Sequence, residues 1–160
     1  MNFMTKAKQL FNFSSNPLDV TLQSVADLYE SVSFGLAETY VSDEHFFDSI
    51  FCRGAYGFFV FAAPAQQLVG MARVLSDDKV CSWVAELCVH PTYQKMGIGS
   101  QLVDMIILRF GHTAIYLEAF AEQTEFFVKK EILPKKKLVA CSRAARLTRN
   151  DVSLRKRFTH

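Results

Sequence analysis

Between Val80 and Ala119 the chain reads as a strand, a glycine-bearing turn, a helix and a second strand. No other feature constrains the fold as much, because two strands joined by a helical crossover lie parallel in one sheet with a fixed hand. Val80–Val89 is apolar enough to be a buried strand, and His90-Pro91 stops it. Over Gly97–Phe110 the residues Ile98, Leu102, Val103, Ile106, Ile107 and Phe110 follow the helical period, and Gly111 supplies the stop. Ala114–Ala119 then closes the unit as a strand. Upstream, Tyr56–Ala62 and Leu68–Leu75 flank the turn Ala63-Pro64-Ala65-Gln66-Gln67, and Ser76-Asp77-Asp78-Lys79 leads into Val80–Val89. Connections this short make an antiparallel meander. The class is therefore α/β, or α+β in some schemes, with a mixed and mostly antiparallel sheet.

The flanks add smaller elements. Gln9–Phe13 reads as a first strand. Asp19 can cap a helix to about Val32, with Leu22, Val25, Ala26, Tyr29 and Val32 at helical spacing. Ser42-Asp43-Glu44 opens a second helix carrying Phe46, Phe47, Ile50 and Phe51, and Gly54 can close it. Glu122–Lys130 reads as a short helix that Pro134 ends, and Leu138–Cys141 as the start of a last strand. With no internal repeat, the 160 residues form a single domain, 1–160, with a basic C-terminal segment.

Composition narrows the class further. Half of the residues are hydrophobic and 21% charged, which excludes general disorder. No apolar run reaches the roughly 18 residues of a membrane span, so no membrane association is expected. Met1–Lys8 has no apolar stretch behind it, so a secretory signal is not expected either. Cys52, Cys81, Cys88 and Cys141 lack CxxC spacing and stand in apolar stretches. They read as reduced core thiols of a cytoplasmic protein, with no metal site. The formal charge of +2 conceals an asymmetry. Residues 129–160 carry eleven Lys/Arg against Glu131 and Asp151, whereas residues 1–128 carry seven against fourteen acidic groups. The basic segment is a solvated tail or a footprint for a polyanion such as a nucleic acid, although no RNA-binding motif accompanies it.

The chemistry concentrates in Val89-His90-Pro91-Thr92-Tyr93-Gln94-Lys95-Met96-Gly97-Ile98-Gly99-Ser100. A buried strand runs into two glycines and a helix begins at once. Glycines let backbone approach a ligand closely, and a helix start offers unpaired N–H groups and the positive end of a dipole. Together they suit an anion such as a pyrophosphate. Neither the P-loop spacing nor the full dinucleotide fingerprint is present.

The run Glu86-Leu87-Cys88-Val89-His90-Pro91, followed by Gln94, Gly97 and Gly99, resembles the acyl-CoA-binding motif of the GNAT superfamily of N-acetyltransferases. Leu68-Val69-Gly70-Met71-Ala72-Arg73-Val74 resembles that family's central strand, and Ile115-Tyr116-Leu117-Glu118-Ala119 its fifth; about residues 18–128 fit its order of elements. The resemblance implies a sheet splayed between its fourth and fifth strands, with acetyl-CoA as cosubstrate in the cleft and an amine as acceptor. It implies that Gln94, Lys95, Met96, Gly97, Ile98, Gly99 and Ser100 hold the pyrophosphate, Lys95 being either a phosphate contact or a solvated loop lysine. It also implies that Leu87, Cys88 and Val89 bond the pantetheine arm and polarise the thioester carbonyl.

An amine acceptor needs a base, since its pKa is roughly 10. Glu118 and Glu86 are the carboxylates in apolar strands, with Glu118 preferred; the alternative for either is pairing with Arg73 or exposure at the strand's rim. Cys88 as nucleophile and His90 as base are disfavoured. After the fifth strand the family commonly carries a tyrosine that protonates the leaving thiolate. Phe127 stands in its place, and Glu131-Ile132 where Gly-Phe is usual. Tyr116 and Tyr93 are substitutes by proximity. The resemblance thus implies transfer of an acetyl group to a primary amine, of a small molecule or a protein. The alternatives are acetylation of an RNA-bound or ribosomal amine, and a non-catalytic acyl-CoA sensor. The usual last hairpin is matched poorly after Pro134, so the sheet is truncated there or completed by a partner chain, as in a homodimer.

Overall fold

The computed structural model describes residues 10–135 together with 137, 141 and 142. Three long strands dominate it: β2 (Ala55–Ala62), β3 (Gln67–Ser76) and β4 (Cys81–Val89), with β1 (Phe11–Ser14) before them. Short turns force β2, β3 and β4 to pair antiparallel in order, β1 joins the outer edge of β2 antiparallel after the helical segment 15–54, and β5 (Ala114–Leu117) lies parallel to β4. The expected crossover is the long helix between them, Ile98–Phe110. The remaining helices are α1 (Leu22–Ser31), α2 (Ala37–Val41), α3 (Phe46–Ile50) and, after the long helix α4, α5 (Thr124–Val128).

Alternation along the strands feeds two cores, one on each face of the sheet. Phe58, Val60, Val74 and Val84 pack against Ile98, Leu102, Ile106 and Phe110 of α4. Phe59, Phe61, Met71 and Cys88 pack against Val25, Leu28 and Tyr29 of α1. Each fully buried Leu, Ile or Phe here contributes about 1.5–3 kcal/mol relative to exposure. Gly70 sets how near α4 approaches. A Cβ built there would lie 2.7 Å from Ile98 Cγ2 and 3.5 Å from Leu102 Cδ1.

Several boundaries differ from the sequence reading. Asp19 does not cap α1. It sits in a 3-10 turn (Pro17–Asp19), accepting from Ser14 Oγ, while Thr21 caps the helix. Thr21 Oγ1 accepts from the Ser24 N–H at 3.1 Å and Ser24 Oγ accepts from the Thr21 N–H at 3.0 Å, a closed capping box. The helix expected from Ser42 is shorter, because Asp43 Oδ1 accepts from the His45 N–H at 3.0 Å and holds a turn there. The helix Ala37–Val41 was not anticipated; Tyr40 anchors it against Tyr29 and Phe46. The region expected as Glu122–Lys130 divides into a 3-10 turn (Ala121–Gln123) and α5. Only Cys88 is a core thiol, whereas Cys52, Cys81 and Cys141 are exposed. The expected strand Leu138–Cys141 lies, but for Cys141, outside the described residues, as does Gln9. No described helix is long and apolar enough to cross a membrane.

Gly70→Ala should lower stability by about 1–3 kcal/mol, since Ile98 branches at Cβ and cannot swing its methyl aside without moving α4. Urea unfolding checks this. The expected result is a lower midpoint at an unchanged slope, and an unchanged midpoint would show that α4 is not held so close.

Candidate functional site

Arg73 of β3 pairs with Glu86 of β4, and Val74 with Val84, so Ala85 has no partner and forms a bulge. Pairing of β4 with β5 ends at the same point, at Val84 opposite Leu117. Beyond it the two strands part. A cavity of about 630 Å³ fills the gap, lined by residues 84–89 of β4, by the turn into α4, and by Leu117, Glu118, Phe120 and Phe127.

The bulge also reverses which face each side chain meets. Val84 faces α4, but Glu86 and Cys88 face α1, while Leu87 and Val89 return to the α4 side. The His90 N–H donates to Val69 O at 2.8 Å. Alternation then directs the main-chain groups of Cys88 toward β3 and those of Leu87 and Val89 toward the gap. Of the three strand residues expected to meet pantetheine, Leu87 and Val89 thus turn main-chain groups to the gap, while Cys88 turns its own to β3 and also lines the cavity. Gln94 Nε2 donates to Val89 O at 3.1 Å and ties the strand end to the turn.

The turn itself is built from left-handed backbone, with φ of +62° at Lys95 and +85° at Gly97. Gly97 precedes α4 with no side-chain cap. Since the first main-chain bond back to it comes from Gln101, at 3.1 Å, the N–H groups of Ile98, Gly99 and Ser100 have no helical acceptor. A Cβ on Gly99 would make only ordinary contacts, 3.7 Å from Phe126 and 3.9 Å from Val89. The glycine therefore leaves open the space between α4 and the cavity, and the segment fits a pyrophosphate in donor set and room. Lys95 and Met96 are exposed beside it. His90 supports the turn: its Nδ1 accepts from the Thr92 N–H at 3.3 Å and its ring stands against Tyr93.

The two carboxylates differ sharply. Glu86 accepts from Arg73 Nε at 2.6 Å and Arg73 NH2 at 2.5 Å, and from the Tyr29 hydroxyl at 2.8 Å. The hydrogen bond to Glu86 raises the Arg73 pKa further, against the effect of burial. Burial, then the Glu86 charge, pushes the Tyr29 phenol well above its usual range. Glu86 thus takes the ion-paired role. Glu118 falls one residue past β5 rather than within it, because the bulge has already carried β4 away. It is exposed, lines the cavity and has no hydrogen-bond or ion-pair partner among the described residues.

Phe127 is buried against Phe126 at the cavity wall. Tyr116 is not in the cavity; it stands beside Trp83 on the open sheet face. Tyr93 does line it, with its hydroxyl 3.5 Å from Gln67 Oε1. The sequence reading missed Tyr29 as a partner of Glu86. It also missed Val32, Phe34 and Phe120 as lining residues, which come from loops with no readable motif.

The family model of the acetyltransferase (GNAT) family matches residues 22–129, and the chain belongs to that family. Solved structures agree in fold. A GNAT family acetyltransferase from Streptococcus pneumoniae TIGR4 is 19% identical with a TM-score of 0.63, covering 86% of this chain and 100% of that one. Glucosamine-6-phosphate N-acetyltransferase from Arabidopsis thaliana is 11% identical with a TM-score of 0.64, covering 82% and 97%. An aminoglycoside acetyltransferase from an uncultured soil metagenomic sample, in complex with trehalose, is 15% identical with a TM-score of 0.69, covering 86% and 97%. Comparison with curated proteins finds no match.

Burial, with the Glu86 charge second, pushes the Cys88 thiol up to about 12. At pH 8 it holds its proton and is shielded, so it lacks the thiolate a nucleophile needs. Iodoacetamide on the native protein at that pH should label exposed Cys52 and Cys81 and spare Cys88. Peptide mass mapping reads this, and rapid native labelling of Cys88 would contradict its burial.

Proposed function

We propose that the chain is an acetyl-CoA-dependent N-acetyltransferase that acylates a primary amine by direct attack in a ternary complex. One observation carries the reading: a single cavity joins an uncapped helix start on one sheet face to an unpaired carboxylate at the splay. Within Gln94 to Ser100 the Gln94 N–H is spent on Pro91 O, and the main-chain N–H groups after it hold the pyrophosphate, aided by the α4 dipole. Leu87 and Val89 align the pantetheine arm as an added strand, and a strand N–H polarises the thioester carbonyl. Glu118 takes the proton of the incoming ammonium, directly or through water. The amine nitrogen then bonds to the carbonyl carbon, the carbon–sulfur bond breaks, the thiolate leaves, and the second proton of the attacking nitrogen passes through water to that thiolate. With Phe127 in the wall no phenol stands at that position. A thiol of pKa roughly 8.5 leaves tolerably without a donor, and water supplies the proton. Glu86 is held by Arg73 and Tyr29 as a strut between α1 and the displaced half of β4.

Gly99→Asp should abolish or strongly weaken acetyl-CoA binding measured by calorimetry, because it sets a side chain and a negative charge where the pyrophosphate would lie. Unchanged affinity would remove the site from Gln94–Ser100.

Glu118→Gln should lower kcat by about 10²–10⁴ with acetyl-CoA affinity retained. Glu86→Gln should instead lower the urea midpoint, because it leaves the Arg73 charge without its counter-ion. A large loss of kcat in a well-folded Glu86→Gln, with Glu118→Gln active, would reverse the assignment.

A further inference from the structure

The cavity has two ends of unlike chemistry. At the α4 end stand Lys95 and the open N–H groups, all suited to an anion. Val32 and Phe34, from the end of α1 and the loop after it, and Phe120, two residues past Glu118, line the same cavity as that carboxylate. Phe34 is 46% and Phe120 70% exposed, so both present ring surface to whatever enters the cavity. Phe34 is fixed rather than loose. Its ring leans on Tyr29 at 5.8 Å between centroids, and Tyr29 is bonded to Glu86.

Charge at this end is sparse. Arg73 and Glu86 neutralise each other. Among the described residues that line the cavity Lys95 is the only Lys or Arg, and it belongs to the turn before α4. One uncompensated carboxylate remains, Glu118. A phosphate or carboxylate on the acceptor would face that charge with no cation among the described lining residues but Lys95. A polyamine would find one counter-charge for several ammonium groups.

We infer that the acceptor is a primary amine carried on an apolar or aromatic body, an alkyl or arylalkyl amine with a single positive charge and no anionic group. The inference rests on the acetyltransferase reading above and names the substrate class of the same site. The ammonium meets Glu118 and the body lies against Phe34, Phe120 and Val32. Each methylene buried there improves affinity by about fourfold.

The test uses the full chain with saturating acetyl-CoA and quantifies acetylated product by mass spectrometry. Phenethylamine and hexylamine are compared with alanine, glucosamine 6-phosphate and spermidine. The expected kcat/KM for the first two is at least tenfold above the others. Phe34→Ala and Phe120→Ala should each raise KM for phenethylamine about tenfold, change kcat little, and leave the calorimetric affinity for acetyl-CoA within twofold. Phe120 is exposed enough that its truncation spares the fold. Equal or better use of alanine, glucosamine 6-phosphate or spermidine would overturn the inference, as would an unchanged KM in both variants. Acetyl-CoA bound but turned over with no amine in the panel overturns the acceptor class and leaves the CoA site standing. Failure of acetyl-CoA to bind overturns the proposed function and this inference with it.

Discussion

The bulge at Ala85 is the constraint on which the cleft depends. A sheet of five hydrogen-bonded strands has no interior gap wide enough for a ligand, since neighbouring strands lie about 4.8 Å apart. One unpaired residue bends β4 away from β5 after Val84 while β3 continues to follow it. The main-chain groups of Leu87 and Val89, which β5 would have satisfied, are left facing the gap. The same extra residue puts Glu86 on the α1 face, where unbroken alternation would have put it with Val84 against α4. A gap, an unpaired strand edge and the ion pair with Arg73 thus share one local cause.

The splay must be held from both sides. On the α4 side the missing side chain at Gly70 lets Ile98 and Leu102 press onto β3, which fixes where the helix begins. On the α1 side the Tyr29–Glu86–Arg73 network joins helix to strand through charge-assisted bonds in a half-buried setting. The two helix starts are finished in opposite ways. α1 closes its own N–H groups with Thr21 and Ser24, whereas α4 leaves its first donors open at the cavity. Uncapped donors are a cost unless water or a ligand meets them. The starts of α2, α3 and α5 also lack a side-chain cap; what sets α4 apart is that its open donors border the cleft and stand at the head of a 13-residue helix.

Much of this was legible in the residues. The meander, the crossover and α4 follow from period and turn chemistry, because long strands and a 13-residue helix present several repeats of their pattern. The short elements were less legible. Ala37–Val41 spans little more than one turn, so no periodicity identifies it; it is fixed by Tyr40 meeting Tyr29 and Phe46. Asp19 and Thr21 are both plausible caps, and only the Ser24 side chain decides between them. The bulge left no signal, since Val84-Ala85-Glu86 contains neither glycine nor proline. Three of four cysteines were misjudged because apolar neighbours in sequence say nothing about which side of a strand or turn faces water.

The bulge also explains why two glutamates on adjacent strands differ in kind. Glu86 is carried onto the face that holds Arg73 and Tyr29, and three short bonds keep it there as a fixed anion. A carboxylate so held has its oxygens already committed to Arg73 and Tyr29, and none is turned to an incoming amine. Glu118 meets the reverse condition. β4 has already turned away, so no strand packs beside it and no described cation stands against it. It keeps its lone pairs for whatever enters the cavity. Tyr29 extends the argument to the leaving group. Its phenol is committed to Glu86 and raised by burial, so the one tyrosine buried among the described residues does not stand in for the one that Phe127 replaces. The chemistry proposed for the cleft therefore relies on the ease with which a thiolate departs, and not on a second acid.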